Sequence, residues 1–441
     1  MNMNVTFIGG GSVQWGPPLI TDLMLTPSLA SSRLVLYDID HAAAAQMARL
    51  ARRIAAETNS GWQVEVRDDL DAALVGADFV IFSIAEGGLE ALRQDLEIPW
   101  RYGIAQPVGD TVGPGGIARA MRHIPVAVDV ARHMEEHCPD AWFLNLTNPL
   151  TVITRAVNRE TRIRAIGLCH EMTGVIKRLA GLLDISPSEI HVQVAGVNHL
   201  PWILRMRVGG QDGFALLRQW LNAHGPMHFA HDGLEGSADS VFRDRMAVKF
   251  LLFQTYGSLP GAGDRHVVEF FPAFLSPQSG YGKGYGVELT TIGHRYELLA
   301  RRRQHIANLI IQPEPLALQL SDEQLAGVVA ALGTGKPGRF IVNIPNVGQI
   351  DNLPRDAVVE CYAHLGPNGV EPISLGALPA PLVQTLAGRV WQQEMIVDAA
   401  VKGDDNLMLQ ALLADPMVHD WEAARAMRDQ FLAAHAEYLP L

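Results

Sequence analysis

Cysteine is nearly absent from this chain: Cys138, Cys169 and Cys361 are three thiols in 441 residues. Three scattered thiols build no disulfide framework, and a reducing, cytoplasmic setting is the expectation. Charge is also sparse, at 19% of residues, and bases are the rarer sign. Lys and Arg number 35 against 47 Asp and Glu, a net charge of −12. No run of Lys or Arg forms a basic tract, which argues against nucleic acid or an anionic membrane as partner. No apolar stretch approaches about 18 residues, so no spanning helix is expected. The first residues run straight into a strand pattern, without the basic region and cleavage site of a secretory signal. What the chain does have is 48% hydrophobic residues, enough to build a sizeable core and to exclude disorder.

The first third alternates strand and helix. Val5-Thr6-Phe7-Ile8 and Leu34-Val35-Leu36-Tyr37 are short apolar runs, with helical spacing at 17–25 between them and at 41–58 after them. Further buried runs at 78–84, 142–146 and 164–169 flank a helical stretch at 117–137. Continuous apolar strands alternating with helices indicate a parallel sheet covered on both faces. The expected fold is α/β, with a Rossmann-type doubly wound sheet over 1–175. A mixed α/β or α+β second domain over 176–441 follows, an architecture like that of lactate and malate dehydrogenases. In it, 191–196 and 202–208 read as strands and 246–256, 288–309 and 386–413 as helices. The Gly-, Pro- and aromatic-rich stretch 257–286 reads as a site-forming loop.

Gly9-Gly10-Gly11-Ser12 lies between a strand and a helix, where glycine lets the backbone turn and approach a pyrophosphate at a helix N-terminus. The full G-x-G-x-x-G pattern fails at Gln14, and a plain tight turn explains three glycines nearly as well. Asp38 closes the second strand, where an acid accepts hydrogen bonds from ribose hydroxyls and repels a 2′-phosphate, favouring NAD over NADP. Ser83 and Asn145 end two further strands on the same edge. Gly9, Gly11, Ser12, Asp38, Ser83 and Asn145 are the candidate cofactor residues.

Cys169-His170-Glu171 again follows a strand, and Val197-Asn198-His199 lies about thirty residues on. Thiolate and imidazole both ligate metals. On spacing alone, a buried core cysteine beside an unrelated histidine is the simpler reading.

The ordered set Val5-Thr6-Phe7-Ile8-Gly9-Gly10-Gly11-Ser12, Gly109-Asp110-Thr111-Val112-Gly113-Pro114-Gly115-Gly116, Asn145-Leu146-Thr147-Asn148-Pro149, Cys169-His170-Glu171 and Gly196-Val197-Asn198-His199 resembles glycoside hydrolase family 4. Val342-Asn343-Ile344-Pro345-Asn346 and Asn352-Leu353-Pro354 look similar too. That family departs from two-carboxylate glycosidase chemistry. The resemblance implies NAD+ without net oxidation: hydride leaves sugar C3, a base removes the acidified C2 proton, the aglycone is expelled, water adds and the hydride returns. It also implies a divalent cation, usually Mn2+, on the C2 and C3 oxygens.

Carried over by position, Cys169 and His199 would hold the metal and Asn148 the sugar. Thiolate suits Zn2+ better than the harder Mn2+. His170 stands where phosphosugar members carry an Asp, so Asp110 becomes the candidate acid, with His170 as alternative. Asp264, in Gly263-Asp264-Arg265-His266, is the candidate base and Tyr256 the reserve. The Cys-His-Glu triplet resembles the branch acting on unphosphorylated α-glycosides, with an α-glucoside as first expectation and an α-galactoside next. Arg93, Arg119 and Arg265 would instead suit an acidic sugar such as a glucuronide or sulfosugar, with His170 and Arg265 as further substrate contacts. Glu86 and Glu171 would favour a neutral one. A plain dehydrogenase of the lactate/malate type is the other class, separated from the first by the Cys169/His199 pair. Association as a homodimer or homotetramer is expected.

Overall fold

The computed structural model describes residues 2–231, 233 and 240–439. Six strands, β1 (Asn4–Ile8), β2 (Arg33–Tyr37), β3 (Gln63–Val66), β4 (Phe79–Phe82), β5 (Trp142–Asn145) and β6 (Arg164–Gly167), line up in the order 3-2-1-4-5-6, all parallel. This is the doubly wound Rossmann arrangement, whose ligand crevice opens where the order reverses, between β1 and β4. β4 is buried at all four positions because helices cover both faces. The helix His41–Thr58 shows why the sequence folds this way. Ala44, Met47, Ala48, Ala51 and Ile54 form one apolar stripe at helical spacing, and Asp40 caps the start by accepting from the Ala43 N–H at 3.0 Å.

The second half extends this sheet instead of building another. β7 (Ile190–Val197), β8 (Leu200–Val208), β9 (Gln211–Asp212), β10 (Leu259–Pro260), β11 (Gly338–Pro345), β12 (Val358–Gly366) and β13 (Gly369–Pro372) are antiparallel to their neighbours. The whole is one 13-stranded sheet, in which β11 docks on β6 through Asn343 and Gly167. A Cβ on Gly167 would lie 2.5 Å from the Leu150 side chain and 3.0 Å from Asn343 Cβ, so the parallel and antiparallel halves meet where a side chain is missing.

Two expectations are corrected. The stretch 257–286 is not all loop: Asp264–Phe270 is helical. Residues 386–413 form two helices, Ala380–Lys402 and Asp405–Leu413, because Gly403 at φ 64° ends the first and Asp404 caps the second. Both pack back onto the long helix Gly113–His137. Among the described residues, no helix is long and apolar enough to cross a membrane.

Candidate active site

A cavity of about 1220 Å3 opens at the carboxyl ends of β1, β2 and β4. One end is walled by Gly9, Gly11, Ser12, Asp38 and Ser83, the other by Asp110, Arg119, Asn148 and Arg295. Gly9 sits at φ 82°, and a Cβ there would lie 2.0 Å from the Ser83 carbonyl oxygen, so glycine alone lets β1 and β4 close up at the crevice. Asp38 accepts from the Gly11 N–H at 2.9 Å and from the Asp40 N–H at 2.9 Å, which fixes its carboxylate at the mouth of the glycine turn. Asn145 does not reach the cavity. It is fully buried, donates to Leu150 O and Thr154 Oγ1, and accepts from the Thr147 N–H, so it braces the β5 turn that carries Asn148.

At the far end three donors converge. Ligand atoms of Asp110, His199 and His266 lie within 4.8 Å of one another. His199 sits in the two-residue turn joining β7 and β8, at φ 64°, a conformation costing about 1 kcal/mol that persists where the surroundings fix it. Its Nδ1 shares a 2.8 Å hydrogen bond with Thr111 Oγ1, and its ring packs against His266, tilted by 33° with 3.7 Å between centroids. Burial pushes both imidazoles down, His199 to about 3 and His266 to about 4, so both are neutral at pH 7. Burial opposes ionisation of Asp110. The surrounding imidazoles, the Arg119 guanidinium and the Thr111 hydroxyl overcome it and hold the carboxyl near 2. With the imidazoles neutral, Arg119 and Thr111 carry that effect at physiological pH. Asn148 Nδ2 donates to Asp110 Oδ2 at 3.2 Å, and its carbonyl accepts from Arg119 Nε at 2.9 Å. Two neutral imidazoles and a carboxylate are a donor set suited to a divalent ion such as Mn2+.

Cys169 is not in that three-donor group. Burial, then the Glu360 and Glu171 carboxylates, push its thiol well up, against a hydrogen bond from the Asn198 amide. Glu360 on β12 accepts from Asn198 and Asn343, each at 3.1 Å, and burial raises it to about 7. His170 leans on Trp15 and faces Glu323 at 3.1 Å. Burial opposes its charge, but Glu323 wins and raises it to about 9. Glu171 accepts from the Gly263 N–H at 2.6 Å, tying the start of the Asp264–Phe270 helix to the Cys169 strand end.

Asp264 lies apart from the three donors. Its carboxylate accepts from the Val248 N–H, the Lys249 N–H and Lys249 Nζ at 3.0, 3.1 and 2.8 Å. Lys249, fully buried, also binds Asp244 at 2.7 Å. Tyr256 is packed between Trp202 and Phe271. Arg265 stays behind the cavity wall, donating to Pro107 O at 2.9 Å and to Thr290 Oγ1. It shares the Phe242 ring with Arg295, at 4.9 and 5.1 Å, and Arg295 is the one that reaches the cavity. Arg93 pairs with Glu90 on its own helix, and Glu86 lines the cavity. Neither His266 nor Arg295 stood out in sequence as a donor or substrate contact. His266 follows Asp264 by two residues in a motif already singled out, and Arg295 is one of many helical arginines.

Fold and site together define an α/β protein whose sheet crevice, of the kind at which doubly wound folds take dinucleotides, lies beside a two-histidine, one-carboxylate cluster. The chain belongs to the family 4 glycosyl hydrolases: the family model matches residues 4–185 and its C-terminal domain model residues 194–418. An α-galacturonidase of Bacillus subtilis is 37% identical over 94% of this chain and 93% of its own. A Bacillus subtilis protein described as a candidate glucosidase superposes with a TM-score of 0.89 at 36% identity, over 98% of this chain and 100% of that one. The 6-phospho-β-glucosidase of Thermotoga maritima, solved with manganese, NAD+ and glucose-6-phosphate, shares the fold at a TM-score of 0.81 and 24% identity, over the full length of both chains.

Proposed function

We propose that this hydrolase cleaves an α-linked uronide, an α-galacturonide first, through transient oxidation of the sugar by NAD+ with a divalent cation, Mn2+, at the reacting oxygens. One observation carries the acidic substrate. Arg295 lies on the cavity wall beside Asp110, and its buried Nε has no hydrogen-bond partner. A guanidinium with one buried N–H unmet is costly to keep charged, and a sugar carboxylate in the cavity offsets that cost with charge-assisted hydrogen bonds. A neutral hexose offers only uncharged hydroxyl acceptors, a weaker match for the cation, which moves the reading from the expected α-glucoside to the acidic alternative. The α-galacturonidase relative supports the same choice.

In this reading Gly9, Gly11, Ser12, Asp38 and Ser83 hold the dinucleotide, and Asp38 selects NAD+ by its charge. His199, His266 and Asp110 hold the cation, with the Cys169 thiol as a further donor beside Asn198. The manganese and NAD+ of the Thermotoga maritima structure support these groups. When bound, the nicotinamide supplies a reversible hydride acceptor and the cation a Lewis acid. Asn148 fixes the sugar and Asp110 against each other, and Asp110, being ionised and turned to the cation, does not serve as a proton donor. Asp264 is bound to Lys249 and supports the fold of the site, so the base role is not assigned to it.

The test is turnover of nitrophenyl α-galacturonide, α-glucuronide, α-galactoside and α-glucoside with NAD+, Mn2+ and a thiol reductant, each component omitted in turn. Cleavage of the uronides that needs both NAD+ and Mn2+, with no net NADH, is expected. Preference for a neutral sugar would remove the uronide reading. Steady NADH formation without cleavage would move the protein to the dehydrogenase class.

A further inference from the structure

Outside the active site, the other end of the long helix Gly113–His137 carries a second convergence of metal-ligating groups. His133 and His137 are four residues apart, so they share one face of that helix. Across from them, on the short helix Leu70–Leu74, stands Asp71. His133 Nδ1 lies 2.5 Å from Asp71 Oδ1, and His137 Nε2 lies 3.1 Å from the same oxygen. One ligand atom from each residue falls within 4.8 Å of the other two. The second nitrogen of His133, Nε2, faces Asp129 Oδ2 at 3.9 Å, one turn earlier on the same helix. All four side chains are partly exposed, so an ion can enter from solvent.

We propose that Asp71, His133 and His137 form a second divalent-metal site for a first-row transition ion, binding Zn2+ more tightly than Mn2+. The donor set is two imidazoles and one carboxylate, which such ions prefer and Mg2+ or Ca2+ do not. Three protein donors leave one tetrahedral position to water. Asp129 adds what an ordinary surface His–Asp pair lacks: a second carboxylate, 3.9 Å from the far nitrogen of His133, whose negative charge favours a bound cation. The bound ion would pin the Leu70–Leu74 helix to the last turn of Gly113–His137. Leu70 and Asp129 also line the cavity near Asp38, so the clamp would steady the wall there. The inference is independent of the sugar cleaved and of the metal at His199.

The experiment uses tag-free full-length chain, stripped of metal and titrated with Zn2+ by calorimetry, and thermal unfolding with and without Zn2+. Wild type, His137→Ala, His133→Gln and the active-site variant His199→Ala are compared. One zinc per chain is expected to persist in His199→Ala and to vanish in His137→Ala and His133→Gln. The unfolding midpoint of wild type should rise with zinc, and that rise should vanish in the two clamp variants. Mn2+-dependent turnover should be unchanged in His137→Ala. Equal zinc stoichiometry in wild type and His137→Ala would overturn the site. So would a lowered midpoint in the clamp variants without any zinc dependence in wild type, which would leave a His–Asp–His hydrogen-bond cluster only.

Discussion

Glu269 and Gly109 stand 160 residues apart and are joined by a 2.9 Å hydrogen bond, the Gly109 N–H donating to Glu269 Oε1. The Val108 N–H donates to the same oxygen at 2.8 Å. One buried carboxyl thus holds the loop that presents Asp110, and its second oxygen has no partner. Burial pushes Glu269 up to about 8, against those two hydrogen bonds. In the folded protein it is therefore protonated where the unfolded chain would be ionised. Its contribution to stability is present below the ordinary glutamate range and is lost as pH rises through about 8. Glu269→Gln should match wild type near pH 5 and become the more stable of the two toward pH 9. Glu269→Ala should destabilise at every pH, by about 1–3 kcal/mol for each N–H left unpaired. Denaturant unfolding at several pH values checks both; parallel wild-type and Gln curves would refute the pH dependence.

Arg295 should decide charge preference in the substrate. Losing one charge-assisted contact of about 1.5–3 kcal/mol lowers kcat/KM about 10- to 100-fold. Arg295→Gln should show that loss on α-galacturonide and little change on α-galactoside. Equal losses on both sugars would mean that Arg295 only supports the cavity wall.

The neighbouring His199 and His266 should act on metal together. His199→Ala and His266→Ala are each expected to weaken Mn2+ binding by about 10-fold or more and to abolish turnover, while NAD+ binding survives. Cys169→Ser should lose metal-dependent turnover with NAD+ affinity largely intact. Unchanged Mn2+ affinity in His266→Ala would take that imidazole out of the metal set.

Lys249 is held between Asp244 and Asp264 without access to water. Breaking such a pair strands a buried charge and costs about 3–5 kcal/mol. Lys249→Met should lower the unfolding midpoint strongly, and Asp264→Asn should do so too. Full stability of Asp264→Asn with a kcat loss of several decades would instead return the base role to Asp264.

Much of this was legible in the chain itself, for local reasons. Short apolar runs ending in glycine or acid, alternating with Ala- and Leu-rich helical spacing, define the parallel half, because burial on both faces of a sheet writes itself into consecutive residues. The Gly9 turn and the place of Asp38 beside it were readable for the same reason: each is set within a few residues of a strand end. The antiparallel half was harder to read. Its strands complete the first half's sheet, and no local pattern shows that Asn343 will meet Gly167. Only the tertiary structure decided which polar residues came together. Asp110, His199 and His266 come from a loop, a hairpin turn and a helix far apart in sequence. The same folding that joined them carried Asp264 to Lys249, Arg265 behind Phe242 and Asn145 under its own turn. Residue type marks what a side chain can do, whereas its neighbours in space, and the water they exclude, decide which charge it carries and what it can reach.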